Sequence, residues 1–283
     1  MANVMACIDG SRSALAVCDY AAWASQRMDA PLAFLHVLGK SDYPVPADLS
    51  GNIGLGSREH LLQELAELDE KRSRLALEQG RLMLDAAKAR AVAAGVEHPA
   101  SRQRHGELVD TLQELESDLR LLVIGRQGEQ GESLGEHIGS HLENVVRTLH
   151  RPILVVPTEY REPQRILIAF DGSATMRKGI EMVASSPLFR SLACHVVVVG
   201  ADKAESHAQL DWARTTLEQA GFEVTASLRS GQVEEVLCGY REDHAIDLIV
   251  MGAYGHSRIR EFLVGSTTTH LLRKSTVPLL LLR

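Results

Sequence analysis

The chain repeats itself. Val4-Met5-Ala6-Cys7-Ile8-Asp9-Gly10-Ser11 returns as Ile166-Leu167-Ile168-Ala169-Phe170-Asp171-Gly172-Ser173. A glycine-rich segment, Gly125-Arg126-Gln127-Gly128 with Gly139-Ser140 behind it, returns as Gly252-Ala253-Tyr254-Gly255 with Gly265-Ser266 behind it. Each copy closes on an apolar strand after a proline, Pro152-Ile153-Leu154-Val155-Val156 and Pro278-Leu279-Leu280-Leu281-Leu282. Landmarks that recur in the same order restrict the chain to two copies of one unit in tandem. The expected domains are 1–158 and 164–283, joined at Thr158 to Gln164, where Pro157 and Pro163 bracket a polar stretch. A length of 283 residues suits two ordinary domains, and 45% hydrophobic residues supply both cores.

Within each copy, short aliphatic runs alternate with amphipathic stretches. In the second half strands are expected at Arg165–Phe170, Ala193–Val199, Glu223–Leu228, Leu248–Gly252 and Leu279–Leu282. Helices are expected at Thr175–Ser185, Glu205–Ala220, Val233–Asp243 and Ser266–Lys274, with Gly221 at a left-handed cap. Continuous apolar strands between such helices mean a parallel sheet covered on both faces. Ligands of these open α/β sheets bind beyond the carboxyl ends of the strands, where strand order reverses. Asp171 and Gly252 end two of those strands.

The first half is longer: Asp9 and Gly125 stand 35 residues further apart than Asp171 and Gly252. The extra residues fall at about 40–95, as a loop (Asp42 to Ser57) and a long charged helix (Arg58 to Ala94) with Leu61, Leu65, Leu68, Leu75 and Leu82 near helical spacing. The plain expectation is a lengthened surface helix. A lid over the first crevice and a dimer contact are the alternatives.

The segment Gly252-x2-Gly255-x9-Gly265-Ser266-Thr267 carries the chemistry. Glycines let a backbone turn tightly and approach an anion, and successive N–H groups in such a loop form an anion-binding concavity. The helix opened by Ser266 adds N–H groups that have no partner within the helix. A triphosphate would meet donors from two sides. The first-half copy has ten residues in the second gap instead of nine. Between Gly125 and Ser140, Arg126 faces Glu129, Glu132 and Glu136, whereas Arg258 and Arg260 outnumber Glu261 between Gly252 and Ser266. Acids near a triphosphate oppose binding and arginines help it, so the second half is the expected site. Asp9 and Asp171 also suit local capping by their Gly-Ser successors.

Other classes are disfavoured. A net charge of −7 with no basic tract argues against a nucleic-acid surface. Cys7, Cys18, Cys194 and Cys238 lack paired spacing and read as reduced residues of a cytoplasmic protein. No basic leader and no run of membrane-spanning length is expected. The twelve histidines show no metal-ligand spacing, and His36 reads as a packed residue at a strand end. Neither a Walker lysine nor an evident general base follows the glycines.

The whole chain resembles a tandem member of the universal stress protein family. The strand-Asp-Gly-Ser segment in both halves, Leu35-His36-Val37 and the two glycine motifs carry the resemblance. It implies, in each half, a five-stranded parallel sheet with helices on both faces, of adenine nucleotide alpha hydrolase-like or flavodoxin-like topology. It also implies pairing of the last strands, making an intrachain pseudo-dimer and leaving a homodimer open. ATP with Mg or Mn is the implied cofactor. Asp171 would lie by the adenosine and Val199 by the adenine. Met251, Gly252 and Gly255 would line the ribose and first phosphate. Gly265, Ser266 and Thr267 would hold the outer phosphates, with Ser266 reaching the metal. Asp9, Val37, Gly125, Gly128, Gly139 and Ser140 would form a weaker second site. Ala169 and Cys7 stand where the family often has proline. The leading function is a nucleotide-dependent regulatory module read by a protein partner. A slow ATPase and a ligand-free interaction protein are the alternatives.

Overall fold

The computed structural model describes residues 2–39, 55–126, 140–253 and 266–283, with side chains excepted at 55–62, 140–141 and 266. The first half runs β1 (Asn3–Cys7), α1 (Ala14–Met28), β2 (Leu32–Leu38), α2 (Leu55–Ala93), β3 (Ala100–His105), α3 (Leu108–Glu114), β4 (Leu119–Gly125), α4 (Ser140–Thr148) and β5 (Ile153–Val156). The second half repeats that order: β6 (Arg165–Ala169), α5 (Ala174–Ser185), β7 (Ala193–Val199), α6 (Ala204–Gln219), β8 (Val224–Arg229), α7 (Val233–Asp243), β9 (Leu248–Gly252), α8 (Ser266–Lys274) and β10 (Leu279–Leu282). The expected elements are all present, displaced at their ends by up to three residues. The long helix reaches back to Leu55 at its start.

All ten strands form one sheet in the order β3-β2-β1-β4-β5-β10-β9-β6-β7-β8. Within each half every pairing is parallel. Side chains alternate faces along each strand, and both faces are buried, which is why the strands are continuously aliphatic. Val4 and Ala6 of β1 and Ile166 and Ile168 of β6 enter one core, under α1, α2, α5 and α6. Met5 and Leu167 enter the other, under α3, α4, α7 and α8. Each core runs through both halves.

The halves meet where β5 and β10 pair antiparallel, with Leu154 opposite Leu280. Two arginines close this seam reciprocally. Arg126, just past β4, donates from its Nη1 to the carbonyls of Ser275 (2.7 Å) and Arg273 (3.3 Å), at the end of α8. Arg283, just past β10, donates to the carbonyls of Arg147 and Leu149, at the end of α4. The last carbonyls of a helix have no partner within it and carry partial negative charge, so a guanidinium satisfies both needs.

Leu154 and Leu280 are buried at the seam. Leu280→Ala should cost about 2–5 kcal/mol, as for other core truncations. Urea unfolding of the full chain measures this. A loss well below that range would show that the seam does not hold the halves together.

Candidate functional site

Three adjacent strands end together in the second half. β6 lies between β7 and β9. Strand order therefore reverses at Asp171, with Val199 ending one neighbour and Met251-Gly252 the other. The Asp171 carboxylate accepts the Ser173 N–H at 2.9 Å, and the Ser173 hydroxyl caps α5 by accepting the Met176 N–H at 3.2 Å. Gly172 between them has φ +71°, and a Cβ there would lie 2.5 Å from the Gln209 side chain of α6. The positive φ favours glycine at this turn.

α8 is tied back to the end of β9. Its buried Thr268 hydroxyl sits 3.3 Å from the Gly252 carbonyl and 3.2 Å from that of Ala253, donating to this pair. Thr267, one residue earlier, donates its hydroxyl to Glu234 of α7 at 2.7 Å. That bond, followed by the backbone N–H of Glu234 itself, holds the Glu234 carboxyl below its usual range. The start of α8, where Ser266 stands, is thus fixed close to the end of β9 with a carboxylate beside it. Gly255 and Gly265 lie outside the described residues, as do Tyr254 and His256.

The first half repeats the frame. β1 lies between β2 and β4, so Asp9, Val37 and Gly125 stand at the corresponding ends. Asp9 accepts the Ser11 N–H at 3.1 Å. His36 is buried, and its Nδ1–H donates to the Ile8 carbonyl at 2.9 Å, a packed role as expected. Gly80 of α2 passes so near that a Cβ would lie 2.5 Å from the His36 ring. Gly128 and Gly139 lie outside the described residues, and Ser140 begins α4.

The profile of the universal stress protein family matches residues 1–157 and again 162–283. The chain belongs to that family. Universal stress protein Slr1230 of Synechocystis is 36% identical over 287 aligned positions, covering 100% of both chains. Universal stress protein MJ0577 of Methanocaldococcus jannaschii is 30% identical over 79 residues, 28% of this chain and 49% of that one. The crystal structure of a universal stress protein from Archaeoglobus fulgidus matches 99% of this chain and 96% of its own, with a TM-score of 0.67 at 18% identity, a likeness of fold.

The two copies in this universal stress protein have diverged at the helix that follows the glycine segment. Counting from each helix start, Leu142 stands in the place of Thr268, so the hydroxyl clamp belongs to the second half. Arg126 is spent on the seam. Gly106 and Gly231 (φ +127° and +135°) follow the third strand in each half, and from them Val109 corresponds to Glu234. Glu234, Thr268 and Gln209 escaped the sequence reading. The Thr267-Thr268-Thr269 run was the one visible hint. Burial pushes the Cys18 and Cys194 thiols up to about 12, which disfavours the thiolate form. No helix among the described residues is long and apolar enough to cross a membrane, and none of their acid, His and Cys groups forms a metal cluster.

Thr267→Val should let the Glu234 carboxyl titrate at higher pH, toward the ordinary value of about 4.3. Because the folded-state value is depressed, the bond stabilises the protein above that ordinary value. The contribution is lost as pH falls through the depressed one. A carboxyl-detected NMR titration of wild type and variant reads both values, and coincident curves would contradict the Thr267 contact.

Proposed function

We propose that this universal stress protein is an adenine-nucleotide-dependent regulatory module that holds ATP with Mg or Mn in the second of two domains, 1–158 and 164–283. One observation carries the reading. The G-x2-G-x9-G-S spacing has its first glycine at the end of β9 and its serine at the start of α8, at the strand-order reversal. Asp171 and Val199 would face the adenosine. Met251, Gly252 and Gly255 would line the ribose and first phosphate, and Gly265, Ser266 and Thr267 would hold the outer phosphates. Ser266 would reach the metal. The site at Asp9, Val37, Gly125, Gly128, Gly139 and Ser140 is the weaker one, since its glycine segment is acidic and its arginine is drawn to the seam.

Glu234 bears on the form of the ligand. An ionised carboxylate beside Thr267 opposes a bare triphosphate and is compatible with one carrying a divalent cation. It also bears on turnover, because a carboxyl held below its usual range is a poor general base. Binding that orders the glycine loops for a protein partner in the cytoplasm therefore fits better than hydrolysis. A slow metal-dependent ATPase is the second reading, favoured only by that carboxylate's position.

Gly255→Val and Gly265→Val should each weaken ATP binding at least tenfold in the folded chain, by fluorescent-nucleotide titration with Mg²⁺. Gly128→Val and Gly139→Val should weaken it less. Unchanged affinity in the first pair would overturn the site, and equal losses in both pairs would overturn the preference for the second half.

A further inference from the structure

α8 is nine residues long, too short to be stable alone. Leu271 and Leu272 bury one side of it. Its start is tied by Thr268 to the end of β9 and by Thr267 to Glu234. Its far end is held by two guanidinium groups, one from each half. Arg241, on α7, donates to the Thr276 hydroxyl. Arg126, from the first half, donates one nitrogen to the carbonyls of Ser275 at 2.7 Å and Arg273 at 3.3 Å. Between them the Ser275 hydroxyl accepts the Val277 N–H at 3.2 Å and donates to the Val277 carbonyl at 2.8 Å. Among the described residues a cavity of about 580 Å³ opens beside Arg126, Arg241 and Thr276. Packing is interrupted there, which leaves more of the fastening to hydrogen bonds.

Glu234 and Arg241 both stand on α7, so their bonds hold α7 and α8 to each other. Arg126 is the tie that crosses the seam. It is half-buried and pairs with no carboxylate among the described residues, so its bonds go to these two carbonyls. It also follows Gly125 directly, whereas the residue after Gly252 is the buried Ala253. α4 receives its cap from Arg283 instead, beyond β10. A glycine segment that sends an arginine across the seam is thus found in the first half and not in the second.

We propose, resting on the function read above, that Arg126 is a positioning residue for the nucleotide site of the second half, acting through α8. The free N–H groups at a helix start favour an anion only while they are aimed at it. A guanidinium on the last carbonyls stabilises the opposite end. Across about two and a half turns, freedom at one end becomes tilt at the other. The first half thereby helps to complete the stronger site in addition to carrying the weaker one.

Titration of the full chain with a fluorescent ATP analogue and Mg²⁺, beside amide hydrogen exchange without nucleotide, tests this. Arg126→Met should weaken binding about fivefold or more, the lower end of ordinary coupling between separated groups. It should also speed exchange in α8 while α5, on the other face of the sheet, keeps its rate. Arg126→Lys retains a charged donor and should recover most of the affinity. Leu154→Ala loosens the seam without touching the arginine and should leave the affinity of the folded chain unchanged. Equal binding by wild type and Arg126→Met, an equal loss in Leu154→Ala, or unchanged exchange in α8 would each overturn the positioning role alone. A wild type that binds no nucleotide would overturn the function proposed above and this role with it.

Discussion

Pairing of Ile153–Val155 with Leu279–Leu281 puts two strands at the centre of a sheet that would otherwise be two exposed edges. Both strands are buried along their whole length and carry no charge or bulge to deter other chains. An edge of that kind is a template for aggregation unless it is covered. Joining the halves in one chain supplies the cover at high effective concentration. The consequences spread outward from there. Each core continues across the seam, and the arginine after one half's strand caps the closing helix of the other. The crevice frame of each half stands on strands held by this shared sheet.

A frame used twice leaves each copy free to specialise. The strand-Asp-Gly-Ser turn is kept in both halves, with the aspartate accepting the serine N–H in each. What differs is the fastening of the helix that follows the glycine segment. In the second half Thr268 ties it to the carbonyls of Gly252 and Ala253, and Thr267 ties it to Glu234. The first half has Leu142 and Val109 in those places, and instead carries the long α2 with its outward leucines. One half fastens the helix behind its glycine segment, and the other carries a longer helix with exposed leucines.

The fold was legible because its signals are local or periodic. Aliphatic runs with turn residues behind them mark buried strands, and the repeat shows that whatever one half forms the other forms too. Gly221, expected at a left-handed cap, has φ +89°. The site was legible only along the chain. Asp171, Val199 and Gly252 could be placed at strand ends from sequence, since parallel strands bring those ends together. The bond from Thr267 to Glu234 joins residues 33 apart, and Gln209 reaches Gly172 from another helix. Such pairs leave no periodic trace. Arg126 shows the cost of counting charge by position: it was set against the acids of the first glycine segment, yet its guanidinium turns to the end of α8.

Titration calorimetry of the nucleotide-stripped full chain with ATP and Mg²⁺ tests the central claim most directly. The account predicts one ATP per chain, held by the half in which Thr268 secures α8. Two equal sites, or no binding confirmed by an independent assay, would contradict it.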